Sequence, residues 1–153
     1  MKIKIEIDET LAEDEAVIRC ARLSDEVRAV QKAISEVTAV SQGLELYQGT
    51  TEYFIPLEEI LFFETEGNLV MAHTREDIYQ TRYKLYELEE LLPGAFLRVS
   101  KSAILNTRCI YSLTRNLAAS SVASFENCPK QVFVSRNYYK VLVEKLKEKR
   151  LGR

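Results

Sequence analysis

The chain has 153 residues, 46% of them hydrophobic, and a formal net charge of −2. That is apolar material for one ordinary domain, or a small domain with an appendage, and it excludes wholesale disorder. No apolar run approaches the roughly 18 residues of a membrane span, and MKIKIEIDET lacks the basic and apolar regions of a secretory signal.

The chain opens with period-two alternation, Ile3, Ile5 and Ile7 on one face and Lys2, Lys4 and Glu6 on the other, which predicts a strand with one wet face. AVIRCA (16–21) predicts a second strand after a polar connection. Ser24 then reads as a helix N-cap, followed by Asp25 and Glu26 where negative charge suits the helix dipole. Val27, Val30, Ile34 and Val37 give that helix an apolar stripe, and Gly43 reads as its breaker. A boundary at 43/44 follows, with residues 1–43 as an αβ appendage for dimerisation or partner docking.

Beyond Gly43 come short strands separated by turn signals. LELYQ and TEYFIP flank Gly49 as a hairpin, and Gly67–Asn68 separates ILFFE from LVMAHT as another. DIYQTRY is extended. Leu85, Leu88, Leu91 and Leu92 mark a short helix stopped by Pro93 and Gly94. FLRVSKSAILN, CIYSL, SVASF and QVFVS follow as strands. Ser135 then caps a closing helix in which Tyr138, Leu142 and Leu146 fall four apart. The fold class is mainly β, of antiparallel strands or stacked hairpins, with the αβ appendage and a C-terminal helix.

Catalytic signatures are absent: no GxGxxG, no P-loop, no HExxH and no GxSxG. With a single histidine, His73, a His-based metal centre or triad has too few members. His73 shares a strand face with Leu69 and Met71 and reads as a hydrogen-bonded structural residue. Cys20, Cys109 and Cys128 are odd in number and lack CxxC spacing, so they read as reduced thiols of a cytoplasmic protein. Glu58/Glu59 and Glu89/Glu90 read as solvated faces, and Tyr138/Tyr139 as helix packing. The chain is expected to be no enzyme and to need no metal or cofactor.

Charge is segregated. Residues 1–43 carry 6 Lys/Arg against 9 Asp/Glu, residues 44–95 carry 3 against 11, and residues 96–153 carry 12 against 3. The last segment could meet a polyanion, or the acidic and basic halves could pair within the fold. FLRVSKSAILN also sets Arg98 and Lys101 into an otherwise core-forming run that closes on Asn106.

Three segments together resemble the LytTR family of bacterial DNA-binding domains: IPLEEILFFETEGNLVMAHT (55–74), LYELEELLPGAFLRVSKSAILN (85–106) and VFVSRNYYKVLVEKL (132–146). The second carries the family's F-x-R-x-H/S-x-S core ending in Asn, and the third its SR-x-Y/F step into a helix. The resemblance covers roughly residues 44–150. It implies antiparallel strands rather than a helix-turn-helix, and binding of duplex DNA through loops that enter successive major grooves at paired direct repeats.

By motif position, the residues it implies at DNA are Asn68, Ser100, Lys101 and Arg136. The chain departs from the family at Ser100, often His, and at Lys101, often Arg or Asn, which leaves two expectations for this loop: a different base read, or contacts to phosphate. Arg136 can grip guanine O6 and N7 together, whereas Lys101 offers a point charge. Arg98 is expected to bridge carboxylates within 58–66. Lys145, Lys147 and Lys149 are expected to act more weakly, through phosphates. The implied protein is a cytoplasmic regulator, a homodimer on DNA, too short before residue 44 for a receiver domain, and paired with an inhibitory membrane protein. The alternative is a non-enzymatic interaction module of the same fold, using its basic face on an acidic protein.

Overall fold

The structure, a computed structural model, describes residues 1–12, 15–42 and 44–150, with the side chains of 38–42 and 149–150 outside that description. Gly43, the expected helix breaker, lies outside it too. Two compact units result, Met1–Ala33 and Ile34–Arg153. This division falls within the first helix, α1 (Asp25–Gln42), upstream of the 43/44 boundary expected from the helix breaker and the change of pattern after it.

In the first unit, Ser24 caps α1 as expected, its Oγ accepting the Val27 N–H at 3.3 Å. Asp25 and Glu26 occupy the first turn, where the exposed N–H groups favour negative charge. The two strands expected upstream do not form: residues 1–8 and 15–20 take no regular structure. Alternation assigns faces, but a strand also needs a hydrogen-bonded neighbour, and the described residues offer this segment none.

The second unit is built from ten strands: β1 (Leu44–Gln48), β2 (Thr51–Ile55), β3 (Phe62–Glu66), β4 (Leu69–His73), β5 (Ile78–Thr81), β6 (Phe96–Ser100), β7 (Ala103–Asn106), β8 (Ile110–Thr114), β9 (Ser121–Phe125) and β10 (Cys128–Val134). Helix α2 (Leu85–Leu91) precedes β6, and α3 (Arg136–Arg150) follows β10. Seven strands form one sheet in the order β2-β1-β5-β4-β3-β7-β6, and three form a second, β10-β9-β8. Every pairing is antiparallel.

The runs Ile60–Phe63, which enters β3, and Ala103–Leu105 of β7 are unbroken and apolar because both faces of the chain are covered there. Phe63 and Ile104 face one cluster with Leu46, Ile60 and Leu88 of α2. Phe62, Ala103 and Leu105 face the other, with Val99, Phe125, Val132, Val134 and Leu142 of α3. One wet face would have forced alternation; two dry faces permit a continuous run. In α2, Glu87 accepts the Lys84 N–H at 3.0 Å, one half of a capping box, though a lysine has no acceptor to return the other half.

Gly67 and Asn68 connect β3 to β4, with Glu66 opposite Leu69. Gly67 has φ +60° and Asn68 is not in that region, the pattern of a type II′ turn. Gly67→Ala is expected to cost about 1–2 kcal/mol, since a Cβ at positive φ is strained even in open space. Chemical denaturation would check this.

His73 corrects an expectation. It is buried, stacked on Phe62 with ring centroids 4.2 Å apart, but neither ring nitrogen has a hydrogen-bond partner. Burial, aided by the nearby Lys130 ammonium, pulls its pKa down to about 4 from 6.5. As pH falls, the unfolded chain therefore takes up the proton first. This contribution to stability is constant above about pH 6.5 and is lost progressively towards pH 4. His73→Phe should flatten that part of the stability–pH curve, read by urea midpoints at pH 7 and pH 5.

Candidate nucleic-acid interface

Two turns meet on one side of the large sheet. The Gly67–Asn68 turn leaves β3, and Lys101–Ser102 joins β6 to β7, with Ser100 opposite Ala103. The Thr65 N–H donates to the Ser102 carbonyl at 2.9 Å and ties the turns together. Around them lies a shallow, open depression lined by Gly67, Asn68, Lys84, Tyr86, Arg98 and Lys101, among others. Asn68, Lys84, Tyr86 and Lys101 are all exposed.

A β-bulge shapes the second turn. Arg98 is opposite Ile104 and Ser100 opposite Ala103, so Val99 is the extra residue. Its side chain is buried in the second cluster. Its carbonyl accepts the Ser135 N–H at 2.9 Å. That bond fastens the start of α3 beside the turn, so Arg136 follows one residue after the anchor on its strand and Ser100–Lys101 one residue after the anchor on β6. Ser135 behaves as an N-cap by backbone, its carbonyl accepting from Tyr138 and Tyr139 at 3.0 and 3.1 Å. Asn68 and Lys101 thus share the depression, while Arg136 is joined to it through β6.

Arg98 holds this turn. Its Nε donates to the Ser100 carbonyl at 2.7 Å and its Nη2 to the Lys101 carbonyl at 2.5 Å. Its charge partner is Glu89 of α2, at 3.3 Å, and not a carboxylate within 58–66. The reason is sheet order: β7 intervenes, leaving β6 roughly 10 Å from β3, whereas α2 packs on β6 itself. Ser100 is also a turn residue. Its Oγ accepts the Ser102 N–H at 3.1 Å and lies 3.3 Å from the Ser102 hydroxyl.

The C-terminal lysines separate. At about 100° per residue, Lys140 and Lys147 lie on the Arg136 side of α3 and Lys145 on the opposite side. Lys145 also sits 3.9 Å from Glu148. The side chain of Lys149 lies outside the described residues. Tyr139 packs against the second cluster, with the Arg115 guanidinium 5.1 Å from its ring centroid.

Lys84 and Tyr86 escape a sequence reading because they stand at the start of a helix, α2, that is separated in the chain from both turns. Their only sequence signal is a basic and aromatic YKLY run ahead of the leucines. Among the described residues, no three His, Cys, Asp or Glu side chains gather as a metal site.

The arrangement is a row of exposed cations and amides on rigid turns and a helix start, over a scaffold fixed by backbone bonds. Such groups can meet phosphates and base edges, and none is paired as a nucleophile with a base. Comparison with known proteins agrees with this chemistry. Residues 51–147 match the family model described as the LytTr DNA-binding domain. An uncharacterized HTH-type transcriptional regulator of Staphylococcus aureus strain bovine RF122 is 27% identical over 146 residues, covering 95% of this chain and 98% of its own. A second, from S. aureus strain NCTC 8325, is 26% identical over the same length.

Among solved structures, the LytTr DNA-binding domain of a Bacillus cereus response regulator superposes with TM-score 0.61 at 23% identity, covering 67% of this chain and 96% of that one. Despite the relatives' names, successive helices here are separated by five strands each, so the described residues contain no helix-turn-helix. This chain belongs to the LytTR family of DNA-binding domains.

Proposed function

We propose that the protein is a sequence-specific regulator of transcription that reads paired direct repeats in duplex DNA. The Gly67–Asn68 turn, the Ser100–Lys101 turn and Arg136 supply the major-groove contacts. The observation that carries this reading is the bond from Ser135 to the Val99 bulge, which brings the helix start and the β6–β7 turn to one place. Lys147 and Lys140 add phosphate attraction along α3, Lys84 adds it beside the depression, and Ser100 shapes the turn that presents Lys101. The printed names of the S. aureus relatives support the regulatory role.

Such a regulator works in the cytoplasm, where the DNA is. No described helix is long and apolar enough to cross a membrane. On two repeats it acts as a homodimer, and its control falls to a partner protein, of which an inhibitory membrane protein is the leading choice. The DNA-binding part is assigned to residues 44–153 and dimer or partner contacts to residues 1–43. The 44–153 fragment should then hold one half-site as well as the whole chain does and lose cooperativity on two. Gel shift shows both, and a fragment that is unfolded by circular dichroism would overturn the division. Selecting bound sites from random duplexes tests the main reading: enrichment of a repeated motif is expected. Retention without enrichment would favour the interaction module with a merely basic face.

A further inference from the structure

The first unit leaves an apolar face without cover. Ile3, Ile5 and Ile7 are 90%, 85% and 89% exposed, on a segment that has no strand partner among the described residues. Isolated exposed isoleucines need no explanation, but three at period two form a strand face awaiting a neighbour. The segment ends at Asp8, whose Oδ1 accepts from the Thr10 N–H at 2.9 Å and the Thr10 hydroxyl at 2.6 Å in a closing turn.

The charges on the opposite face identify that neighbour. Laid antiparallel on a second copy with Ile5 opposite Ile5, residue 4 faces residue 6 and residue 2 faces residue 8. Lys4 then meets Glu6 and Lys2 meets Asp8, each pair twice over by symmetry. On the other face Ile3 meets Ile7, so six isoleucines make one continuous stripe. Directly opposed unlike charges and β-branched pairs are what stabilise an antiparallel pair. A parallel, in-register pairing would instead place Lys4 against Lys4 and Glu6 against Glu6.

We infer that residues 2–8 form an antiparallel two-stranded ribbon with the same residues of a second copy, centred on Ile5. The contact is isologous, so it closes at a dimer. A bare two-stranded ribbon is marginal in water, and Val17 and Leu23 of the same unit are further exposed apolar surface that association can bury. Within one copy Lys4 bridges Glu6; the ribbon re-pairs those groups across the two-fold axis. The inference extends the homodimer of the preceding section, and its test needs no DNA.

Sedimentation of the full chain carrying Cys20→Ser, to remove the exposed thiol, should show a dimer. Lys4→Glu creates two repulsive pairs at once and should raise the dimer dissociation constant about tenfold or more. The charge-swapped Lys4→Glu/Glu6→Lys variant should restore it. Under mild oxidation, Ile5→Cys should yield a disulfide-linked dimer and Ile3→Cys far less, because residue 3 faces residue 7. Three results would each overturn the ribbon: a monomer at every concentration, as an intrachain hairpin would give; a dimer indifferent to Lys4→Glu; or equal cross-linking through positions 3 and 5. Half-site binding by the Lys4→Glu variant, expected to be unchanged, reports separately on the DNA reading.

Discussion

Asn106→Leu should cost about 1–3 kcal/mol of folding stability, although it replaces a polar side chain in the core with an apolar one of similar size. Asn106 is fully buried at the end of β7. Its Nδ2 donates to the Ile60 carbonyl at 2.9 Å, and its Oδ1 accepts the Arg108 N–H at 3.1 Å. Its backbone N–H bonds the Leu61 carbonyl at 2.9 Å. One residue therefore ties the turn before β3 to the turn after β7.

Leucine would leave the Ile60 carbonyl with only a distant thiol contact from Cys109, at 4.0 Å. It would also deprive the Arg108 amide of its side-chain acceptor. The stranded Ile60 carbonyl costs about 1–3 kcal/mol, partly offset because the asparagine no longer has to be desolvated, while the amide of exposed Arg108 can turn to water. Urea denaturation should show a lower midpoint at unchanged slope. Since Asn106 lies at the far end of β7 from the Lys101–Ser102 turn, DNA affinity of the folded variant should hold. A loss below about 0.5 kcal/mol, the range of an ordinary surface change, would show that the core accommodates the leucine and that Asn106 is not a tie.

The same residue illustrates what a sequence can reveal. FLRVSKSAILN announces an extended, core-forming stretch with cations set into it and a closing polar residue; β6 and β7 form there, joined at Lys101–Ser102, with β7 buried and β6 mostly half-buried. The hairpins at Gly49 and Gly67 were equally legible, because a turn-forming glycine between two strand-like runs is local information. What Asn106 bonds to was not legible, since Ile60 becomes its neighbour only through the β3–β7 pairing.

The arginine at 98 failed for that reason too. Its partner depends on which strand separates β6 from β3, and nothing in either segment records sheet order. Residues 1–8 failed in the opposite direction. Their alternation is a correct statement about faces, but pairing needs a partner strand, and no other part of the described chain provides one. Of the candidate interface, the turn tips were readable. Lys84, Tyr86 and the separation of Lys145 from Lys147 required the folded helices.

Arg136→Ala should weaken binding to a selected site by about 1–3 kcal/mol and relax the preference at one base position. Arg136 is exposed at the first position of α3, a helix with no acidic residue in its first turn. A cation there opposes the helix dipole and costs about 0.3–1 kcal/mol at an exposed site. A local rule broken without compensation inside the fold is what a binding residue looks like. The same positive helix end would attract phosphate, so two roles compete. The backbone anchor at Ser135 supports the proposed base-reading role, because a guanidinium on a fixed helix start can reach the planar, bidentate geometry that guanine requires.

Lys147 provides the contrast. Eleven residues along α3, it lies about 16 Å from Arg136 on the same side, positioned for backbone attraction. Lys147→Gln should weaken binding to all sequences alike and reduce the salt dependence by about 0.9 log units if one phosphate contact is lost. Lys145→Gln, on the far side and beside Glu148, should change neither. Salt titrations on a selected duplex and a scrambled one separate the outcomes. If Arg136→Ala weakened both duplexes equally and lowered the salt slope, Arg136 would be a phosphate clamp, and base reading would pass to Asn68 and Lys101.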